Sequence, residues 1–196
     1  MTEYVYGIVE ADAPAPTGTG IGGAPLRLVE GDGAAALVST VRGSEVQLGR
    51  EELLAHARIL NDALERGTVL PMRFGVVMER TEEVRERLLA EHSAELRAQL
   101  HRLTGMVEIE LRATYDEPTL MREIVELLSQ VAADVEVRPP GHERVACSAS
   151  FLVAAERLKE FDSVLDAFAD GQGGRLRFKY TGPLPPHSFV EFAGAV

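Results

Sequence analysis

Cysteine occurs once in these 196 residues, at Cys147. That scarcity excludes an internal disulfide framework and any cysteine-rich zinc site. In "RVACSASFLVA" the alternation Val145, Cys147, Ala149, Phe151, Val153 puts the thiol on the apolar face of a strand. There the thiolate is disfavoured, so the residue is expected to be packed and inert. Basic residues are also short: 20 Lys and Arg face 31 Asp and Glu, for a formal net charge of −11. Nucleic acid and anionic lipid membranes both reward cationic surface, so neither is an expected partner, and a basic protein partner stays open. No apolar run approaches the roughly 18 residues of a membrane span. "MTEYVYGIVE" also lacks the basic-then-apolar order of a signal peptide. The expectation is a soluble intracellular protein.

The motifs of catalysis are missing too. There is no Gly-x-Ser-x-Gly elbow, and Ser148 and Ser150 fall on the strand face opposite Cys147. The five histidines (His56, His92, His101, His142, His187) are scattered. His92 and His101 point to opposite sides of one helix, and His92 with Glu95 does not complete a metal site. Surface or half-buried imidazoles are the expected state. "GTGIGG" (Gly18, Gly20, Gly23) has the spacing of a dinucleotide-binding turn. That turn, however, must lead a strand directly into a helix facing the pyrophosphate. Here a proline-rich spacer precedes it and the strand-like "APLRLVEG" follows, so a flexible loop is expected. The acid pairs Glu51-Glu52 and Glu82-Glu83 open helices, where carboxylates favour the positive end of the dipole. No enzyme, cofactor or metal centre is expected.

What is present is an ordinary globular balance, 45% hydrophobic and 26% charged. "EYVYGIV" reads as a strand, and Leu26–Val29 and Ala35–Val41 as a hairpin turning on Gly31-Asp32-Gly33. Leu53, Leu54, Ala57, Leu60 and Leu64 recur at helical spacing between Arg50 and Arg66, and Gly67 stops that helix. "TVLPMRFGVVM" reads as one strand, with Leu70, Met72, Phe74, Val76 and Met78 inward and Pro71 and Arg73 outward. Pro71 implies an edge or strand start. Thr81 is expected to cap a long helix to about Leu103, striped by Val84, Leu88, His92, Leu96, Leu100 and Leu103.

From Gly105 the order becomes strand, helix, strand, strand, helix, strand. The second helix-like run carries Leu120, Ile124, Leu127, Leu128 and Val131, and the two middle strands turn at Pro139-Pro140-Gly141. That order is the split βαβ, or ferredoxin-like, arrangement of an antiparallel sheet. The predicted class is α+β with two domains: an N-terminal α/β unit (1–80), a connecting helix (81–104) and a ferredoxin-like domain (105–182). A proline-rich strap (183–196) ends the chain. In "YTGPLPPHSFVEF", Pro183, Pro185 and Pro186 stiffen the backbone, which then docks at small entropic cost. Phe189 and Phe192 are expected to fill a groove of the chain's own domain, with partner docking as a second role. Pro71 and Arg73 are the other candidate contact residues.

These residues carry a resemblance. "YVYGIV" (4–9), "TVLPMRFGVV" (68–77), "LTGMVEIELRA" (103–113), "SASFLV" (148–153) and "YTGPLPPHSFV" (180–190) stand in the order and spacing of the gas vesicle protein GvpF/GvpL family. "LPMRFG" and "TGPLPP" are its most specific parts. The resemblance implies a minor structural or assembly protein needed to form gas vesicles, the hollow protein shells that provide buoyancy. It implies association with the small apolar shell protein and with other gas vesicle accessory proteins, and location at the vesicle. It also implies a modified ferredoxin-like C-terminal half and no catalytic residues. Two readings from other classes stand beside it: a small-molecule-binding regulatory domain, and an enzyme with an unrecognised site. A closed apolar pocket with convergent polar groups would favour the first of these, and a cleft of perturbed acids or histidines the second.

Overall fold

The computed structural model describes residues 2–42, 49–114, 118–138, 147–172 and 177–191. The Pro139-Pro140-Gly141 turn, His142, the Cys147 side chain and Phe192 lie outside the described residues. The chain divides into two compact units, Met1–Thr104 with Val190–Val196, and Gly105–Phe189.

The first unit is built on a sheet of order β2-β3-β1-β4, with β5 also paired to β1, and every pairing is antiparallel. β1 (Thr2–Glu10) is central, and all its residues from Glu3 to Val9 are buried. Aromatic and β-branched side chains suit such a strand because both of its faces must be filled. β2 (Arg27–Glu30) and β3 (Ala34–Val41) form the expected hairpin. The Gly31 amide donates to the Ala34 carbonyl at 2.9 Å across the turn.

Three elements differ from the sequence reading. α1 (Arg50–Leu64) opens on Glu51 and Glu52 as expected, but it buries His56, Ile59 and Leu60. Leu53 and Leu54 are 49% and 59% exposed, and Ala57 also faces out. The buried set, with Ala63, falls at i, i+3, i+4 and i+7, so a polar residue marks the inward face. "TVLPMRFGVVM" is not one strand. It is β4 (Val69–Pro71), a bend, and β5 (Val77–Met78). Val69, Leu70, Pro71 and Met72 are all buried, so Pro71 does not point outward.

The long helix is interrupted as well. α2 (Thr81–Glu83) runs into a π-helical stretch, Val84–Ala90, and α3 (Ser93–Arg102) starts anew after a non-helical His92. The wider turn holds one more residue, so Leu88 and Leu89 both face inward. Below it Leu96, Leu100 and Leu103 continue the expected stripe. Thr81 makes no cap: its hydroxyl donates to Glu3 Oε1 at 2.9 Å.

The second unit runs β6 (Met106–Thr114), α4 (Pro118–Leu128), β7 (Asp134–Arg138), β8 (Cys147–Ala154), α5 (Leu158–Gly171) and β9 (Arg177–Leu184). Its strands lie in the order β7-β8-β6-β9, all antiparallel. Both helices feed one core with the inward residues of the two central strands. Ile109 and Leu111 come from β6, Phe151 and Val153 from β8, Ile124 and Leu128 from α4, and Phe161 and Leu165 from α5. The Phe151 and Phe161 rings meet edge-on at 5.3 Å. The chain is therefore a mixed structure of helices and two antiparallel sheets.

Candidate functional site

The two tyrosines of β1 lie on one face of the strand, with ring centroids 4.7 Å apart, and they fasten the "LPMRFG" bend and the glycine loop. Tyr4 and His56 hold the "LPMRFG" bend. The Met72 carbonyl can only accept, so His56 Nε2 carries the proton that reaches it at 3.2 Å. Nδ1 then accepts from the Tyr4 hydroxyl at 2.9 Å, and that oxygen accepts from the Gly75 amide at 2.9 Å. The Met72 amide also donates to the Tyr6 carbonyl at 2.9 Å. The bend is thus pinned at both ends, with Met72 buried, Phe74 half-buried near the His56 ring and Arg73 exposed. Burial pushes the Tyr4 phenol up to about 12 and raises that of Tyr6 as well.

Tyr6 holds the glycine loop. Its hydroxyl accepts from the Ile21 amide at 2.7 Å and lies 2.8 Å from Ser39 Oγ. A Cβ on Gly20 would meet Ser39 Oγ at 2.3 Å and the Tyr6 hydroxyl at 2.4 Å, so the close approach itself requires glycine there. Residues Ile21–Gly23 make only a single 3-10 turn before the chain returns to β2. No phosphate-facing helix follows, and the expected flexible loop is instead anchored.

In the second unit the proline tail is latched on a buried carboxylate. β9 continues through the Gly182–Pro183 cis bond to Leu184, which sits opposite Glu108. A Cβ on Gly182 would strike Ile109 Cδ1 at 2.6 Å. Beyond it, His187–Phe189 form a 3-10 turn. Glu108, only 4% exposed, accepts from the Ser188 amide at 2.8 Å and from its hydroxyl at 2.5 Å. Arg138 donates to the same hydroxyl, and Ser150 Oγ lies 3.1 Å away. Burial lowers the His187 imidazole while Glu108 pulls it back up.

A cavity of about 200 Å³ opens in the first unit. Leu26, Leu28, Leu37 and Ile59 line its floor, and Pro14 and Pro16 of the long loop form a wall. Glu10, Asp12, Asp62 and Arg66, all exposed, surround the mouth. The Arg66 guanidinium donates to Thr17 Oγ at 2.8 Å.

Of the residues singled out from sequence, Arg73 and Pro183 are exposed, while Pro71, Pro185, Pro186 and Phe189 are buried. His92 lies 3.4 Å from Glu95, and among the described residues no group of three His, Cys, Asp or Glu side chains is placed to hold a metal. No described helix is long and apolar enough to cross a membrane. His56, expected at the surface or half-buried, is buried instead, and sequence reasoning passed over Glu108 and Ser188. His56 had a signal, its helical spacing from Ile59, Leu60 and Ala63. Glu108 had none, because it alternates with Val107 and Ile109 as an outward residue would.

The whole chain has counterparts among known proteins. A gas vesicle protein F of a Streptomyces species is 32% identical, covering 97% of this chain and 100% of its own length. Gas vesicle protein F1 of Halobacterium salinarum is 29% identical over 97% of this chain and 94% of itself. The crystal structure of GvpF from Anabaena superposes with a TM-score of 0.90 at 22% identity, covering 98% and 97% of the two chains. That of Microcystis aeruginosa gives 0.84 at 23%, covering 97% and 99%. The model of the family described as gas vesicle synthesis protein GvpL/GvpF matches residues 3–127 and 119–191. With the pinned "LPMRFG" bend and the latched "TGPLPP" tail inside the matched spans, the chain belongs to the GvpL/GvpF family of gas vesicle synthesis proteins.

Proposed function

We propose that this protein is a non-catalytic structural and assembly component of gas vesicles that engages the small apolar shell protein. The observation that carries the reading is the family match across nearly the whole chain, joined by relatives named for gas vesicles. The described chemistry agrees with it. The perturbed tyrosines and the buried histidine are committed to fastening the "LPMRFG" bend and the glycine loop, and the buried glutamate to fastening the tail. The antiparallel order β7-β8-β6-β9 supports reading the second unit as a modified ferredoxin-like domain.

The mechanism is one of surfaces. A free shell subunit exposes apolar area and strand edges that would aggregate, and a soluble carrier manages both by covering or pairing them. This chain offers exposed Leu53 and Leu54 on α1, and Val137, 52% exposed, on the edge strand β7. Its net charge of −11 keeps the carrier itself dispersed. The small-molecule reading has one observation in its favour, the 200 Å³ cavity. That is below the roughly 300–1,000 Å³ of sites for drug-sized ligands.

Co-purification of the shell protein with the tagged chain, alone and with the other accessory proteins, tests the proposal. Retention of the shell protein and loss of vesicles on gene deletion are expected. Intact vesicles in the deletion strain, or no association under either condition, would refute it. Mass spectrometry of washed vesicles then reads whether the protein stays in the finished wall.

A further inference from the structure

The cavity beside the glycine loop has a size, a lining and a charge that together define what fits it. An engineered cavity of about 150 Å³ holds a benzene molecule. At about 200 Å³ this one has room for one or two aliphatic side chains and not for a nucleotide. Its floor is aliphatic, so the buried part of any occupant is apolar. At its mouth three carboxylates stand against one guanidinium, and Arg66 is already engaged with Thr17. None of Glu10, Asp12 and Asp62 makes a side-chain hydrogen bond or ion pair among the described residues. Such a rim repels phosphates and carboxylates and attracts ammonium or guanidinium groups.

The pocket is also preformed. Its loop wall is held by the Ala13 amide on the Glu10 carbonyl at 3.1 Å and the Leu26 amide on the Gly18 carbonyl at 3.1 Å. The Gly20 amide reaches the Ala24 carbonyl at 2.7 Å, and Tyr6 anchors Ile21 from below. An occupant therefore does not have to order the wall, which removes one of the usual costs of association.

We propose that this pocket is the anchor point for a segment of a partner protein that inserts one leucine- or isoleucine-sized side chain with Lys or Arg beside it. The inference rests on the docking function above and names the place and chemistry of one contact. The rim sets the sign of the flanking charge, and the floor sets the size of the anchor. Acidic segments are rejected at the mouth and purely polar ones gain nothing from the floor.

The test uses the full-length isotope-labelled protein and three capped heptapeptides: leucine alternating with lysine, leucine with glutamate, and serine with lysine. The leucine–lysine peptide alone should shift the amides of Val9, Ala13, Leu28 and Ala63. Asp12→Lys should weaken that binding about tenfold at low salt, with a reduced salt dependence. Ala63→Phe, which fills the pocket, should reduce it by tenfold or more, on the order of losing a buried anchor. Circular dichroism checks the fold of both variants, and Asp12→Lys, at an exposed loop position, serves if the filled variant misfolds. Equal response to the glutamate peptide, shifts centred elsewhere, or undiminished binding by a folded Ala63→Phe would overturn the assignment. Hexylammonium binding as strongly as the peptide would overturn the protein-segment identity. Shell-protein co-purification separates the two levels. Failure of the unmodified chain sinks the docking function, whereas equal capture by unmodified and Ala63→Phe chains sinks only the pocket.

Discussion

Tyr4→Phe isolates the fastening of the "LPMRFG" bend. The substitution keeps the ring and its packing against Tyr6 and His56, so almost no cavity forms. It deletes one hydroxyl that serves two hydrogen bonds, a buried one to His56 Nδ1 and a part-buried one from the Gly75 amide. Leaving a buried donor or acceptor unmatched costs about 1–3 kcal/mol each. With the half-buried Gly75 bond at the low end, about 1 kcal/mol, the expected loss is about 2–4 kcal/mol, a large share of the 5–15 kcal/mol typical of a folded domain. Urea unfolding followed by circular dichroism reads it as a lower midpoint at unchanged slope. Amide exchange at Gly75 reads it locally, and that amide should lose protection before those of β3. Adding His56→Leu should cost less than the sum of the two single changes, because both remove the same bond. A loss under about 0.5 kcal/mol, or strict additivity in the double variant, would refute the account of the bend as pinned by this pair.

Further outcomes follow from the other contacts. Ser188→Ala removes the hydroxyl shared by Glu108, Ser150 and Arg138 and should cost about 1–3 kcal/mol, with faster proteolysis of the tail after Leu184. Unchanged tail cleavage would show that the latch is idle. Gly20→Ala places a methyl against Ser39 and Tyr6 and should cost about 1–3 kcal/mol by thermal unfolding, whereas Gly67→Ala, with open space around it, should be near neutral. Alkaline titration should show the Tyr4 and Tyr6 phenols ionising late. Their folded values lie above the unfolded 10, near 12 for Tyr4, so their stabilisation is intact below pH 10 and lost as pH rises toward 12. Phenolate absorbance and unfolding should coincide in that window. His187 has the opposite sense. Its lowered value means stability present above pH 6.5 and lost as pH falls, by a small amount because the Glu108 carboxylate offsets part of the shift. His187→Gln should flatten that acid-side slope.

Local signals carried much of this molecule, because hairpins and amphipathic helices are decided by neighbours a few residues apart. The Gly31-Asp32-Gly33 turn, the acid-opened helices, the Leu96–Leu100–Leu103 stripe and the order of elements after Gly105 could all be read from spacing alone. The scarcity of bases and the single cysteine set expectations about partners and sites before any fold was considered. Tertiary structure decided where spacing and packing disagree. A period-2 pattern over residues 70–78 predicted a strand, yet it bends because Tyr4 and His56, 66 or more and 14 or more residues away in sequence, supply its hydrogen bonds. α1 turns two leucines to solvent because His56 is needed inside. Glu108 looks like an outward strand residue and is buried because Ser188, 80 residues later, folds over it. Periodicity reports only which side of an element is apolar. Which polar group finds a partner in the interior depends on contacts between distant segments, and no local pattern encodes those.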